Sequence, residues 1–233
     1  MRRIGLLGGM SWESSIEYER IINTEVRNRL GGVASADLVI RSVDFSVIEE
    51  LQSAGRWDEA GSLLIAEAEL LEAAGCEVLL LCTNTMHRVA ERIVNAVDVS
   101  FIHIADATAA AIDQAGVSAV GLIGTRYTME ADFYAGRLRE QHRLDVIVPD
   151  EAGRHLVHRV IYDELVRGVI DEGSRREVLS VIDDLCSAGA GGIIAGCTEI
   201  ELLVHADDVD VPYFPTARLH ALAAVDAALA STS

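Results

Sequence analysis

The sequence predicts an α/β protein built of two similar parallel-sheet units. Three observations carry that expectation. Short apolar runs alternate with longer stretches in which apolar residues recur at helical spacing. The runs are continuously apolar rather than alternating, the mark of strands covered on both faces. Finally, IGLLGGMSWE at residues 4–13 returns as VGLIGTRYTME at 120–130, an internal echo of strand, glycine, polar turn and helix.

In chain order, strands are expected at IGLL (4–7), DLVIRSV (37–43), EVLLL (77–81) and FIH (101–103). The second half repeats the series with AVGLI (119–123), DVIV (145–148), GIIA (192–195) and PYF (212–214). Helical spacing marks 14–30, 58–74, 105–115 and 129–141 between them. Pro149, Pro212 and Pro215 all fall outside these helices, as their missing N–H requires. No linker rich in Pro, Gly or Ser separates the halves. At a similar interval after each echoed loop comes a strand ending in reactive side chains, LLLCTNT in the first half and IIAGCTEIE in the second. Ligands of open parallel sheets bind beyond the carboxyl ends of the strands, so a cleft between the halves, lined by these four loops, is the expected site.

A chain of 233 residues, half of them hydrophobic, can bury a substantial core. Its formal net charge of −18 repels phosphate backbones and anionic membranes, so neither nucleic acid nor membrane is an expected partner. All 19 basic residues are arginine. Without lysine, a Schiff base to pyridoxal phosphate, a P-loop lysine and an amine nucleophile are excluded. Cys76, Cys82, Cys186 and Cys197 form no C-x-x-C pair, and disulfides are not expected in a chain with such a core. The opening MRRIGLLGGMSWE has too short an apolar run for a signal peptide, and no stretch approaches the roughly 18 apolar residues of a membrane span. A soluble cytoplasmic protein is expected.

Cys197 stands after a buried run and before an expected helical run at 198–204, where backbone N–H groups and the dipole lower a thiol's pKa. Its flanks, Gly196, Thr198 and Glu199, are not those of a core cysteine. In the first half Cys82 and Thr83 compete for the matching place. Aligning the halves on the shared Cys-Thr pairs Cys82 with Cys197, whereas aligning them on the end of the apolar run pairs Thr83 with it. Thr83, Asn84 and Thr85 are also preferred helix caps, a role compatible with substrate binding. GLLGGM is not G-x-G-x-x-G, and no G-x-S-x-G occurs. His155 and His158 lie three apart on a helix but lack a third ligand at motif spacing, so no metal is expected.

IGLLGGMSWESS, CTNTMH, GLIGTRYTM and GCTEIELL, in this order, resemble the cofactor-independent aspartate/glutamate racemase family, and most closely its bacterial amino-acid racemase branch. The resemblance spans residues 4 to 216. It implies two similar α/β domains related by pseudo-two-fold symmetry, taken as 1–103 with 214–233 and as 104–213, with the active site between them. It also implies no cofactor, a homodimer, and a two-base reaction in which one group removes the α-proton and another returns one to the opposite face. A duplicated fold suits that demand by offering one acid/base to each face of a planar carbanion. Carbanion stabilisation then falls to hydrogen bonding and desolvation, in keeping with the absent lysine.

The family's first catalytic cysteine directly precedes Asn-Thr. Here Thr83 precedes Asn84, so the resemblance places Thr83 in the catalytic slot beside Cys197 and turns Cys82 to the other face. A hydroxyl is a poor base but can deliver a proton to a strong carbanion. Lopsided chemistry is therefore expected, with Cys197 abstracting and Thr83 donating. Met10, Gln52, Asn84, Thr85, Thr125, Tyr127, Thr128, Thr198 and Glu199 are implied to line the substrate. Some aspartate-specific relatives grip the side-chain carboxylate with arginine and lysine. With no lysine here, Arg41, Arg126 and Arg167 are the candidates, and neutral amino acids rival aspartate and glutamate as substrates. A cleft-cysteine decarboxylase or isomerase of small dicarboxylic acids, or a non-catalytic amino-acid-binding regulator, are the other readings.

Overall fold

A computed structural model describes residues 1–230. The chain forms two compact units, Met1–Ile104 together with the segment from His220 onward, and Ala105–Leu219. The first contains β1 (Ile4–Gly8), α1 (Trp12–Leu30), β2 (Leu38–Ser42), α2 (Phe45–Ser53), α3 (Trp57–Ala73), β3 (Val78–Leu81), a 3-10 turn (Thr85–Val89), α4 (Ala90–Val94) and β4 (Ser100–Ile102). All pairings are parallel, in the order β2-β1-β3-β4. After the crossing helix α5 (Ile104–Gln114), the second unit adds β5 (Ala119–Gly124), α6 (Arg126–Glu130), α7 (Asp132–His142), β6 (Asp145–Ile147), α8 (Glu151–Arg159) and a π-helical turn (Val160–Glu164). It closes with α9 (Glu172–Ser187), β7 (Ile193–Gly196), α10 (Ile200–Leu203) and β8 (Tyr213–Pro215), and α11 (Thr216–Leu229) leads back to the first unit. The second sheet is also parallel and runs β6-β5-β7-β8, the same topology.

The two parallel α/β sheets are those the sequence predicts. Three details differ. β8 pairs with β7, so Tyr213–Pro215 belongs to the second sheet and the chain returns to the first unit at 219/220 rather than 213/214. The expected helix 129–141 is interrupted at Ala131, which is extended (φ −90°, ψ 146°). Apolar spacing continues on both sides, so periodicity alone does not reveal the break. Continuous burial holds for the inner strands β1 and β3, whereas the edge strand β2 leaves Ile40, Arg41 and Ser42 exposed. An edge strand has a neighbour on one side only.

Each unit has its own core. Leu7, Leu64, Leu71, Leu79, Leu81 and Ile93 pack in the first; Ile123, Val157, Val178, Ile182, Ile193 and Leu203 pack in the second. Each such side chain contributes about 1.5–3 kcal/mol on burial. Aspartates start three helices. Asp44 accepts from the Ser46 N–H at 2.9 Å, Asp150 from Gly153 at 2.8 Å and Asp171 from Ser174 at 2.9 Å. Each satisfies a backbone donor that the first helical turn leaves open. Among the described residues no helix is long and apolar enough to cross a membrane.

The turn after β1 demands glycine. Gly9 has φ +92°, and a Cβ there would lie 2.2 Å from the Val43 carbonyl oxygen. The tight passage brings the start of α1 back to the strand end, where Ser15 Oγ accepts from the Gly9 N–H at 2.8 Å.

Candidate active site

In the first unit the strand-end residues emerge from β1 and β3. Cys82 prolongs the ladder, its N–H donating to Leu7 O at 2.9 Å. Its side chain has no exposed surface, and burial pushes the thiol pKa far above its ordinary value. One residue on, the Thr83 N–H folds back to Leu81 O at 2.8 Å, and the side chain is half-buried. Thus the neighbours part: the cysteine packs inward and the threonine stands at the surface of its unit. Asn84 and Thr85 follow, both buried, at the start of the 3-10 turn, which Asn84 does not cap through its side chain. Met10 lies buried in the loop after β1. Gln52, buried on α2, donates from Nε2 to Met86 Sδ at 3.0 Å, joining α2 to the 3-10 turn.

In the second unit Thr125 caps α6, its Oγ1 accepting from the Thr128 N–H at 3.3 Å and lying 3.2 Å from Thr128 Oγ1. Thr128 has no exposed surface, so its hydroxyl serves this turn. Half-buried Tyr127 stands edge-on to His158, whose Nδ1 accepts from the Arg126 N–H at 3.3 Å. Burial and then Arg126 push the His158 pKa down. Cys197 directly follows β7. Its Sγ donates to Glu199 Oε2 at 2.7 Å, and Thr198 Oγ1 donates to the same oxygen at 3.0 Å. Cys197 and Glu199 are both buried.

This arrangement corrects the expected acidity of Cys197. Its pKa is raised well above the ordinary thiol value, first by burial, then by the charge of Glu199 and by the hydrogen bond to it. The backbone N–H groups of Glu199 and Ile200 pull the other way with less effect. The physical reason is that α10 is a single turn beginning three residues later, so it offers little dipole, while the carboxylate is in contact. Cys197 rests as a thiol.

Strand register resolves the ambiguity between Cys82 and Thr83. The echoed strands match Ile4 to Val120, and therefore Gly8 to Gly124. In the first sheet Leu7 stands opposite Leu81, which brings Cys82 level with Gly8. In the second sheet Gly124 stands opposite Gly196. Cys82 is thus the counterpart of Gly196, and Thr83 is the counterpart of Cys197.

Of the arginines considered for a carboxylate, Arg41 is engaged by both oxygens of Glu67 on the exposed edge strand. Arg167 is exposed at the end of the turn Leu165–Arg167. Arg126 opens α6, exposed, with its guanidinium 5.6 Å from the Tyr127 ring centroid. His155 is exposed, and among the described residues no three His, Cys, Asp or Glu side chains gather as metal ligands. A group that sequence reasoning passed over is the buried Ser11, Ser14 and Ser15 at the start of α1, with Ser15 Oγ donating to Ser11 O at 3.2 Å. Its signal was S-x-x-S-S opening a helix directly after a glycine turn.

Two parallel α/β units, with Thr83 following the third strand of the first in sequence and Cys197 that of the second, form the fold of the two-domain racemases. The Asp/Glu/hydantoin racemase model matches residues 7–224, and the chain belongs to that family. A Yersinia pestis protein provisionally assigned as an Asp/Glu racemase is 52% identical, with a TM-score of 0.93 over 99% of this chain and 100% of its own. An aspartate racemase homologue from Pyrococcus horikoshii is 33% identical, with a TM-score of 0.84 over 98% and 99%. Glutamate racemase from Francisella tularensis, solved with D-glutamate, shares the fold at 18% identity and a TM-score of 0.70, over 100% of this chain and 84% of its own.

Proposed function

We propose that the protein is an amino-acid racemase that works without pyridoxal phosphate, acting on aspartate or glutamate with Cys197 and Thr83 on opposite faces of the α-carbon. The observation that supports this most is the register equivalence of Thr83 and Cys197 in two sheets of one topology. In this reading the Cys197 proton first passes to Glu199 Oε2 along the 2.7 Å hydrogen bond. The pair keeps one negative charge, moved from carboxylate to sulfur. The thiolate then takes the α-proton, and the Thr83 hydroxyl gives a proton to the other face. Water returns a proton to the Thr83 oxygen and takes one from Glu199, which restores the starting state. The substrate ammonium favours charge on sulfur when it arrives.

Enantiomers have equal free energy, so lopsided chemistry shows in isotope exchange rather than in net direction. Cys197 alone can return label to the face it opened, whereas inversion requires Thr83. In this reading Arg126, which opens α6 beside the Tyr127 ring, favours an acidic side chain. The test incubates purified protein in deuterium oxide with L- and D-aspartate, L- and D-glutamate and neutral amino acids. Label at the α-carbon with inversion of aspartate or glutamate is the expected result. Inversion of neutral amino acids alone would remove the substrate claim, release of carbon dioxide would indicate a decarboxylase, and binding without exchange would indicate a regulator.

A further inference from the structure

His87 takes no part in the proton transfers just described, yet it touches the residue that performs one of them. It lies in the 3-10 turn, 3% exposed. Its Nδ1 is 2.7 Å from the Thr83 carbonyl oxygen and its Nε2 is 3.2 Å from the Ile104 backbone nitrogen. A carbonyl only accepts and a backbone N–H only donates. These partners therefore require a neutral ring with its proton on Nδ1.

The far anchor is itself held. His220 donates from Nε2 to Ile102 O at 2.7 Å and accepts from the Tyr18 hydroxyl at Nδ1, 2.8 Å away. Burial pushes the His220 pKa down to about 3, so this ring is neutral as well. His87 packs edge-on against His103, with 4.5 Å between ring centroids, and against His220 at 5.7 Å. The segment 102–104 is thus gripped through Ile102 by one imidazole and through Ile104 by another.

We propose that His87 is a positioning residue that aims the Thr83 hydroxyl by fixing the Thr83 carbonyl against the anchored segment 102–104. Thr83 follows the last residue paired to β1 and leads into a turn; its N–H bonds back to Leu81 O, and its carbonyl, past the end of the ladder, is held by the His87 ring. Rotation there swings the side chain, and a displacement of about 1 Å at a reacting group can cost on the order of 10²-fold in rate. The inference rests on the reading in which Thr83 protonates the carbanion.

The test separates inversion from same-face exchange in deuterium oxide, starting from the enantiomer that Cys197 deprotonates. His87→Leu and His87→Gln, which lose the donor to Thr83, are expected to slow formation of the mirror enantiomer about 10-fold or more while same-face exchange stays within about twofold. His87→Asn, whose Nδ2 can replace the Nδ1–H donor, is expected to recover most of the inversion. Should His87→Leu fail to fold, the Asn and Gln variants decide between them. Equal loss of both processes, no loss of either, or better inversion by Gln than by Asn overturns the proposal. If Thr83→Ala inverts at the full rate, or the unaltered protein exchanges no label, the two-base reading itself falls, a failure visible with His87 in place.

Discussion

The strand ends after β3 and β7 hold the same place in sheets of the same topology, yet they use a cysteine differently. After β3 the cysteine arrives one residue early, still within reach of the β1 ladder, and packs inward. After β7 the matching place is Gly196, where a Cβ would lie 3.0 Å from the Ile123 carbonyl oxygen, and the cysteine comes next. One residue of register separates a thiol that fills a core from one that meets a carboxylate. Two residues after Thr83 stands Thr85, where Glu199 stands two after Cys197, so the first strand end has a hydroxyl in the place of the carboxylate. Similar folds therefore present unlike side chains at matching strand ends.

That comparison can be broken most directly at Cys197. Replacing Cys197 with Ser is expected to lower α-proton exchange from its own enantiomer by about 10³-fold, read by NMR in deuterium oxide. Full exchange by the variant would mean that the second unit holds no base. Making the two strand ends alike is the next test. Thr83→Cys is expected to raise inversion relative to same-face exchange about 10-fold, because a thiol reprotonates faster than a hydroxyl. An unchanged ratio would show that Thr83 does not hold the matching role.

Glu199→Gln removes the carboxylate that accepts from Cys197. The Cys197 pKa is expected to fall, since a raising charge is lost while burial remains, and thiolate absorbance against pH measures it. Turnover should nevertheless drop by about 10-fold or more, because the proposed reaction passes the thiol proton to Glu199. A faster variant would make the carboxylate an inhibitor of the thiol rather than its partner.

The smallest effect is expected at the inward cysteine. Cys82→Ala should leave turnover within about twofold and cost roughly 1–2 kcal/mol in urea unfolding. Its pH dependence carries a definite sign. The folded pKa of Cys82 lies above the ordinary 9.0, so above that pH the unfolded chain releases the proton while the folded chain keeps it. Stability of the unaltered protein then falls as pH rises, by at most about 1.4 kcal/mol per pH unit for this group. The gap between the two proteins should therefore narrow in alkaline urea titrations, and a widening gap would contradict the burial of Cys82.

Much of the fold was legible because its signals are local. Continuous apolar runs such as EVLLL, glycine after a strand and an aspartate before a helix each act within a few residues. The same locality let Asn84 mark Thr83 once the family resemblance was seen. The break at Ala131 was not legible, because two short helices in succession keep a common period. Nor was the exposure of β2, since a strand's place in its sheet depends on which other strands flank it.

By itself the sequence determined the elements, their order, the repeat and the absence of lysine chemistry, all of which follow from residue types and short-range spacing. Tertiary structure alone decided that Cys82 is level with Gly8, because register is a relation between β1 and β3, some 70 residues apart. It also turned the pKa of Cys197 upward, through burial and the way the chain folds Glu199 onto the thiol. It brought the Ile104 backbone to His87, so that a buried ring could join two segments with no relation in the linear chain. Contacts of this kind depend on direction and distance in space, and residue order leaves both open.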